Sequence, residues 1–172
     1  MRKKAKKIKL LLLDVDGVLT DGGIVMNDRG EEVKQFDVRD GHGIRLLLRA
    51  GVQIGLITGR TSKVVGHRAR DLGIRILYQK AYDKLDIYQK IKRKSGLKDQ
   101  QIAYVGDDIV DLPILRKVGL AMTVRDCWAE LKREVDYVAA GKGGRGAVRE
   151  IIELLLKAQG KWQGVTRRYY RN

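Results

Sequence analysis

The chain has 172 residues, 44% of them hydrophobic, and a formal net charge of +15. That length suits one compact domain with its own core, and a single proline among 20 glycines speaks for regular elements joined by permissive turns rather than a disordered chain. One cysteine, Cys127, excludes an intramolecular disulfide, and no Cys/His cluster stands at zinc spacing.

The opening MRKKAKKIKLLLLDVDG has the outline of a secretory signal, a basic leader followed by an apolar run. The run from Leu10 to Leu13 stops at Asp14, however, short of the about 7 to 15 apolar residues of a signal core. No later run approaches the about 20 apolar residues of a membrane span, so a cytoplasmic protein with no membrane partner is expected. Ile8 to Val15 reads as a buried strand, and GGIVMNDRGEEVKQFD, between Thr20 and Asp37, as a β-hairpin turning at Asn27-Asp28-Arg29-Gly30. Helix Gly43 to Ala50, strand Val52 to Thr58, helix Ser62 to Leu72, strand Ile74 to Tyr78 and helix Lys84 to Lys94 follow. Strand Ile102 to Gly106, helix Val110 to Val118, strand Leu120 to Val124 and helix Ala147 to Ala158 complete the series. Strands alternating with helices predict an α/β fold, a Rossmann-like three-layer sandwich whose mainly parallel sheet binds ligands at the carboxyl ends of its strands. A single domain 1–172 is expected, with its core at 8–158 and basic, solvated tails at 1–7 and 159–172. The charge is spread over helices and ends without a helix-turn-helix, an aromatic RNA-binding motif or a basic zipper, so nucleic acid is not an expected partner.

At the carboxyl ends of the predicted strands stand Asp14 and Asp16 after the first, Thr58 after the second, and Asp107, Asp108 and Asp111 after the fourth, while Lys84 opens the helix after the third. In extended chain residues i and i+2 project to the same side, so Asp14 and Asp16 face one crevice, with Gly17 easing the turn. Crowded carboxylates repel unless a cation joins them, and oxygen ligands favour a hard ion, Mg²⁺ where the substrate brings phosphate. The pattern suits phosphoryl transfer, with Asp14 as nucleophile and Asp16 as acid and then base. Mg²⁺ would sit on Asp14, Asp107 and the backbone carbonyl of Asp16, with Asp111 and Asp108 orienting its waters. Thr58 and Lys84 would hold phosphoryl oxygens. Each piece alone is ordinary: a DxD is commonly a turn, a Thr-Gly a strand exit, a lysine at a helix start a surface charge. Their occurrence together at strand ends, in the order Asp-x-Asp, Thr, Lys, Gly-Asp-Asp-x-x-Asp, is what points to chemistry.

In that order DVDGV, ITGR, Lys84 and GDDIVD resemble the four motifs of the haloacid dehalogenase superfamily. DVDGVLTDG, FDVRDGHGI, DKLDIY, GDDIVDLP and GGRGAVRE extend the likeness, from Ile8 to about Leu156, to the sugar acid phosphate phosphatases of that superfamily. The resemblance implies Mg²⁺, a sugar acid phosphate substrate used in lipopolysaccharide synthesis, and a homotetramer in which hairpins associate and a neighbour's C-terminal segment approaches the site. It further implies a substrate pocket of Asp16, Asp37, Val38, Arg39, Asp40, Gly41, Arg45, Arg60, Arg68 and Lys84. Many members insert a cap domain between these motifs, whereas this chain has room only for the hairpin, so a neighbouring subunit is expected to close the site against water. Gly141 to Gly146, with Arg145, reads either as that closing segment or as a glycine-rich loop opening a helix. His42 and His67 lack a partner cluster and read as structural or exposed.

Overall fold

Four consecutive leucines, Leu10–Leu13, form β1, and all four are fully buried. An apolar run without polar alternation is what a parallel strand covered on both faces requires. The computed structural model describes residues 1–170; Arg171 and Asn172, part of the predicted C-terminal tail, lie outside the described residues. Ahead of β1 lies α1 (Arg2–Ala5), and after it come a hairpin of β2 (Val25–Met26) and β3 (Glu32–Val33), α2 (Val38–Arg49), β4 (Gln53–Ile57), α3 (Lys63–Leu72) and β5 (Ile76–Tyr78). The chain continues through α4 (Lys84–Ser95), β6 (Ile102–Val105), α5 (Leu112–Leu115), β7 (Leu120–Thr123), β8 (Tyr137–Val138), α6 (Ala147–Ala158) and α7 (Trp162–Thr166). Six parallel strands make one sheet in the order β5-β4-β1-β6-β7-β8, and β2 pairs with β3 in a separate antiparallel ribbon. α2 packs against α6, and α4 against α5, as the covering layers. The α/β sandwich expected from the alternation is therefore present. Chain progression runs outward through β4 and β5 on one side of β1 and through β6, β7 and β8 on the other. Such a reversal opens a crevice beyond the strand ends, here between β1 and β6.

Four details depart from the sequence reading. α2 begins at Val38 rather than Gly43, because the Asp37 carboxylate caps it, accepting from the N–H groups of Arg39 at 2.6 Å and Asp40 at 3.2 Å. The predicted loop Asp37 to Gly41 is therefore a cap and a first turn. The predicted helix Val110 to Val118 is a 3-10 turn, Ile109–Asp111, running into the short α5. β8 is a two-residue edge strand, too short to leave a periodic signal. The ends are not simply solvated, for Ala5, Val165 and Thr166 are buried, and the Gln159 amide donates to the carbonyls of Ala5 at 3.1 Å and Ile8 at 2.9 Å. Dense lysine and arginine hid the apolar faces of two short helices.

Candidate active site

Strand register assembles the site. Leu13 pairs with Leu56 on one side and Val105 on the other, so the residues that follow these strands meet along one edge. Asp14 continues the ladder, its N–H donating to the Val105 carbonyl at 2.9 Å, and its Oδ1 accepts from the Val15 N–H at 2.7 Å. Its other oxygen lies 2.9 Å from Nζ of Lys84, the first residue of α4, which Asp83 caps. Lys84 is buried and reaches further, to Oδ1 of Asp111 at 2.6 Å. That same oxygen accepts from the Tyr104 hydroxyl at 2.6 Å, while Asp111 Oδ2 accepts from the N–H groups of Asp107 at 2.9 Å and Asp108 at 3.3 Å. A fully buried carboxylate thus satisfies both oxygens and holds the lysine and the Asp107 backbone together.

One oxygen each from Asp14, Asp107 and Asp111 lies within 4.8 Å of the others. Burial, then the Asp111 charge, push Asp14 up to about 7 against the pull of Lys84. Burial followed by Asp14 and Asp111 raises Asp107 to about 8. Burial would depress Lys84, yet the facing Asp14 and Asp111 outweigh it and keep the ammonium above its usual range. Oδ1 of Asp107 is buried with no hydrogen-bond partner among the described residues, a condition folded proteins seldom leave unmet. Because Asp111 has spent its lone pairs, Asp14 and Asp107 are the open donors, and a hard divalent cation between them would relieve both the repulsion and the orphaned oxygen. The residues present fit a metal.

Backbone, not side chains, walls the site on one side. Gly17 has φ of +88°, and a Cβ there would stand 2.0 Å from Oδ2 of Asp107, so only glycine lets the first loop pass. The Gly141–Gly146 loop packs on the same loop of its own subunit: Gly144 N–H donates to the Val18 carbonyl at 3.0 Å, and a Cβ on Gly143 would stand 1.8 Å from the Gly17 carbonyl oxygen. The loop also opens α6, with Gly146 at its N-cap.

Asp14, Lys84, Asp107 and Asp111 are thus brought together, with Thr58 buried at the end of β4, its Oγ1 accepting from the Arg60 N–H at 3.3 Å. Asp16 stands at the mouth, its side chain 20% exposed. Of the other predicted residues, only Arg60 joins it there. Asp108 caps its own turn through the Ile109 N–H at 2.7 Å and is outside the acidic cluster. Asp40 is buried and spends its carboxylate on the N–H groups of Arg149 at 2.7 Å and Gly146 at 3.3 Å, at the start of α6. Gly41 is walled off by the Arg68 guanidinium, 2.3 Å from where a Cβ would be. Arg45 and Arg68 both bind Asp71, at 3.0 and 2.9 Å, whereas Arg60 stays at the mouth, its Nε 3.9 Å from Oδ2 of Asp16 and its guanidinium 3.2 Å from Glu32. Val38 is exposed, and Arg39 pairs with Asp37 at 3.0 Å. His42 contacts the Tyr169 hydroxyl at 2.9 Å, and neither histidine joins the acidic cluster. The sequence reading missed Tyr104, Lys34 and Glu32. A lone tyrosine in an otherwise aliphatic strand was a usable signal for the first, since a buried hydroxyl needs a partner.

A switch-point crevice holding a buried Asp/Lys/Asp constellation defines a class. Residues 31–119 match the haloacid dehalogenase-like hydrolase family model, and the chain belongs to that family. Within it the chain is similar to the 3-deoxy-D-manno-octulosonate 8-phosphate phosphatase of Escherichia coli K12, 49% identical over 92% of this chain and 84% of the relative. Among solved structures, the Yersinia pestis enzyme of the same description superposes with a TM-score of 0.93 at 45% identity, covering 95% of this chain and 88% of that one. The Moraxella catarrhalis enzyme, crystallised with magnesium ion, phosphate ion and the KDO sugar, gives 0.95 at 40% identity over 98% and 97% of the two chains.

Proposed function

We propose that the chain is a Mg²⁺-dependent phosphatase that hydrolyses 3-deoxy-D-manno-octulosonate 8-phosphate to the free sugar acid and phosphate, as a cytoplasmic homotetramer serving lipopolysaccharide precursor synthesis. The observation that carries this reading is the orphaned Asp107 oxygen beside the Lys84-paired Asp14, at the mouth of a chain similar over nearly its whole length to enzymes of that name. Asp14 attacks phosphorus, and the bond from phosphorus to the sugar oxygen breaks as Asp16 gives that oxygen its proton. Lys84 and Thr58 hold the phosphoryl oxygens as charge builds on them. Water then attacks the phosphorus of the aspartyl phosphate, Asp16 takes the water's proton, and Asp14 leaves as a carboxylate. Mg²⁺, held by Asp14, Asp107 and the Asp16 carbonyl, would when bound offset the repulsion between an anionic nucleophile and an anionic phosphate. Asp111 keeps Lys84 in place from behind. In this reading Val38, Arg39 and Arg60 meet the sugar acid, while buried Asp40 and Gly41 support the turn that carries them.

The hairpin supports the tetramer. Ile24, Val25, Met26 and Val33 are each more than half exposed, and a two-stranded ribbon with bare apolar side chains needs something to pack on it. The substrate is tested by phosphate release from 3-deoxy-D-manno-octulosonate 8-phosphate and from nine-carbon sugar acid 9-phosphates of the sialic type. A higher kcat/KM for the eight-carbon ester is expected; preference for the nine-carbon esters would overturn the substrate assignment.

A further inference from the structure

Lys34 follows β3 directly at the foot of the hairpin, and its side chain is 1% exposed. Lysines are almost never fully buried unless paired, and this one is paired twice: its ammonium bonds Oδ1 of Asp16 and lies 3.0 Å from Oε1 of Glu32. On the far side of Glu32, Arg60 binds the same oxygen at 3.2 Å, and its Nε stands 3.9 Å from Oδ2 of Asp16. Two cations and two carboxylates, from the loop after β1, the hairpin and the loop after β4, therefore close a ring at the mouth of the site. An exposed ion pair would hold nothing in place, since long side chains in water lose as much by ordering as they gain by attraction. A buried one is different, because removing either partner strands the other.

The ring has a direction. Lys34 takes Oδ1 of Asp16, and Oδ2 accepts no hydrogen bond among the described residues. We propose that Lys34 is a positioning residue for proton transfer: it pins one oxygen of Asp16 so that the other faces the departing sugar oxygen. The inference rests on the phosphatase reading above. It gives the hairpin a second task, since the ribbon that offers an apolar face to other subunits also carries, at its foot, the group that aims the acid. A proton donor misdirected by a single rotamer loses most of its benefit, because transfer needs the donor within hydrogen-bond reach of the oxygen it protonates.

The test uses leaving groups. A sugar alkoxide must be protonated as it departs, whereas p-nitrophenolate leaves without a proton, and kcat/KM reports this first step. The full chain and Lys34→Met are compared on 3-deoxy-D-manno-octulosonate 8-phosphate and on p-nitrophenyl phosphate, with circular dichroism verifying the fold. Lys34→Met is expected to lose about tenfold more on the sugar ester than on the aryl ester, part of the about 100-fold or more that a fully aligned acid supplies. Asp16→Asn is expected to show the same bias, and the double variant no more than the larger single effect. Equal losses on both esters, no loss, or additive effects would overturn the proposal. If Lys34→Met does not fold, Lys34→Arg, which keeps the charge but displaces the pinned oxygen, must show the bias or the proposal fails. Should the wild-type chain ignore the eight-carbon ester but cleave glucose 6-phosphate, the substrate reading falls, and the comparison proceeds with glucose 6-phosphate as the alkyl ester. A wild-type chain inactive on every phosphate ester overturns both.

Discussion

Lys84 shows how little a residue's sequence position reveals of its energetics. As the first residue of a helix it reads as a surface charge, yet it lies buried between two carboxylates, 2.9 Å from one and 2.6 Å from the other. Removing it strands buried charge, and Lys84→Met is expected to lower unfolding free energy by about 3 kcal/mol in urea titration; a loss below about 1 kcal/mol would contradict the pairing. Asp40 makes the opposite case. Burial, the leading cause, raises it from 3.8 to about 6 despite the N–H donors of α6. The folded chain therefore keeps this proton to a higher pH than the unfolded one. Its contribution to stability is complete below about pH 4 and lost as pH rises through about 6. The wild type is expected to lose about 1 kcal/mol relative to Asp40→Asn between pH 5 and pH 7, measured by denaturant melts; parallel curves would contradict the shift. At this scale Asp14, Thr58, Lys84, Asp107 and Asp111 were legible because strand ends are legible. Tyr104, Lys34 and the bonds of Asp40 were not, because each acts through a partner far away in sequence.

Among elements, the strands and most helices were written in apolar runs and terminal glycines. α2 was misjudged at its start because Gly41 and Gly43 weaken a helical pattern, and tertiary contact explains them: the Gly43 Cα faces Arg149 of α6, whose Cδ would lie 3.0 Å from an added Cβ. The Gly141–Gly146 loop is the stronger case. Gly143→Ala forces its methyl into the Gly17 carbonyl, and overpacking of this kind is expected to cost about 1 to 3 kcal/mol and to shift the first loop that carries Asp16. Gly164→Ala in α7, where an added Cβ meets no described atom within 4 Å beyond its own helix and chain neighbours, is the matched control and should change stability by no more than about 1 kcal/mol. Equal stability of the two variants would show that the backbone contact is dispensable.

For the whole molecule, repulsion within the acidic cluster and exposure of the hairpin are the two unsettled quantities of an isolated chain. Mg²⁺ binding only the folded state is expected to raise the melting temperature, by up to about 3 kcal/mol of stability at a hundredfold excess over Kd, and Asp107→Asn should abolish the shift. Light scattering during size exclusion should give four times the 19.5 kDa chain mass; a fully active monomer would remove the intersubunit closure. No helix among the described residues is long and apolar enough to cross a membrane. The fold class was legible from alternation alone. The packed ends were not, because basic residues outnumber the few apolar ones that dock them.

The central assignment is Asp14 as the nucleophile of a Mg²⁺-dependent phosphatase. Phosphate release from 3-deoxy-D-manno-octulosonate 8-phosphate, measured with Mg²⁺ for the wild type and for a folded Asp14→Asn, tests it most directly. Turnover by the wild type and its loss by at least about a thousandfold in the variant are expected; wild-type turnover in Asp14→Asn would contradict it.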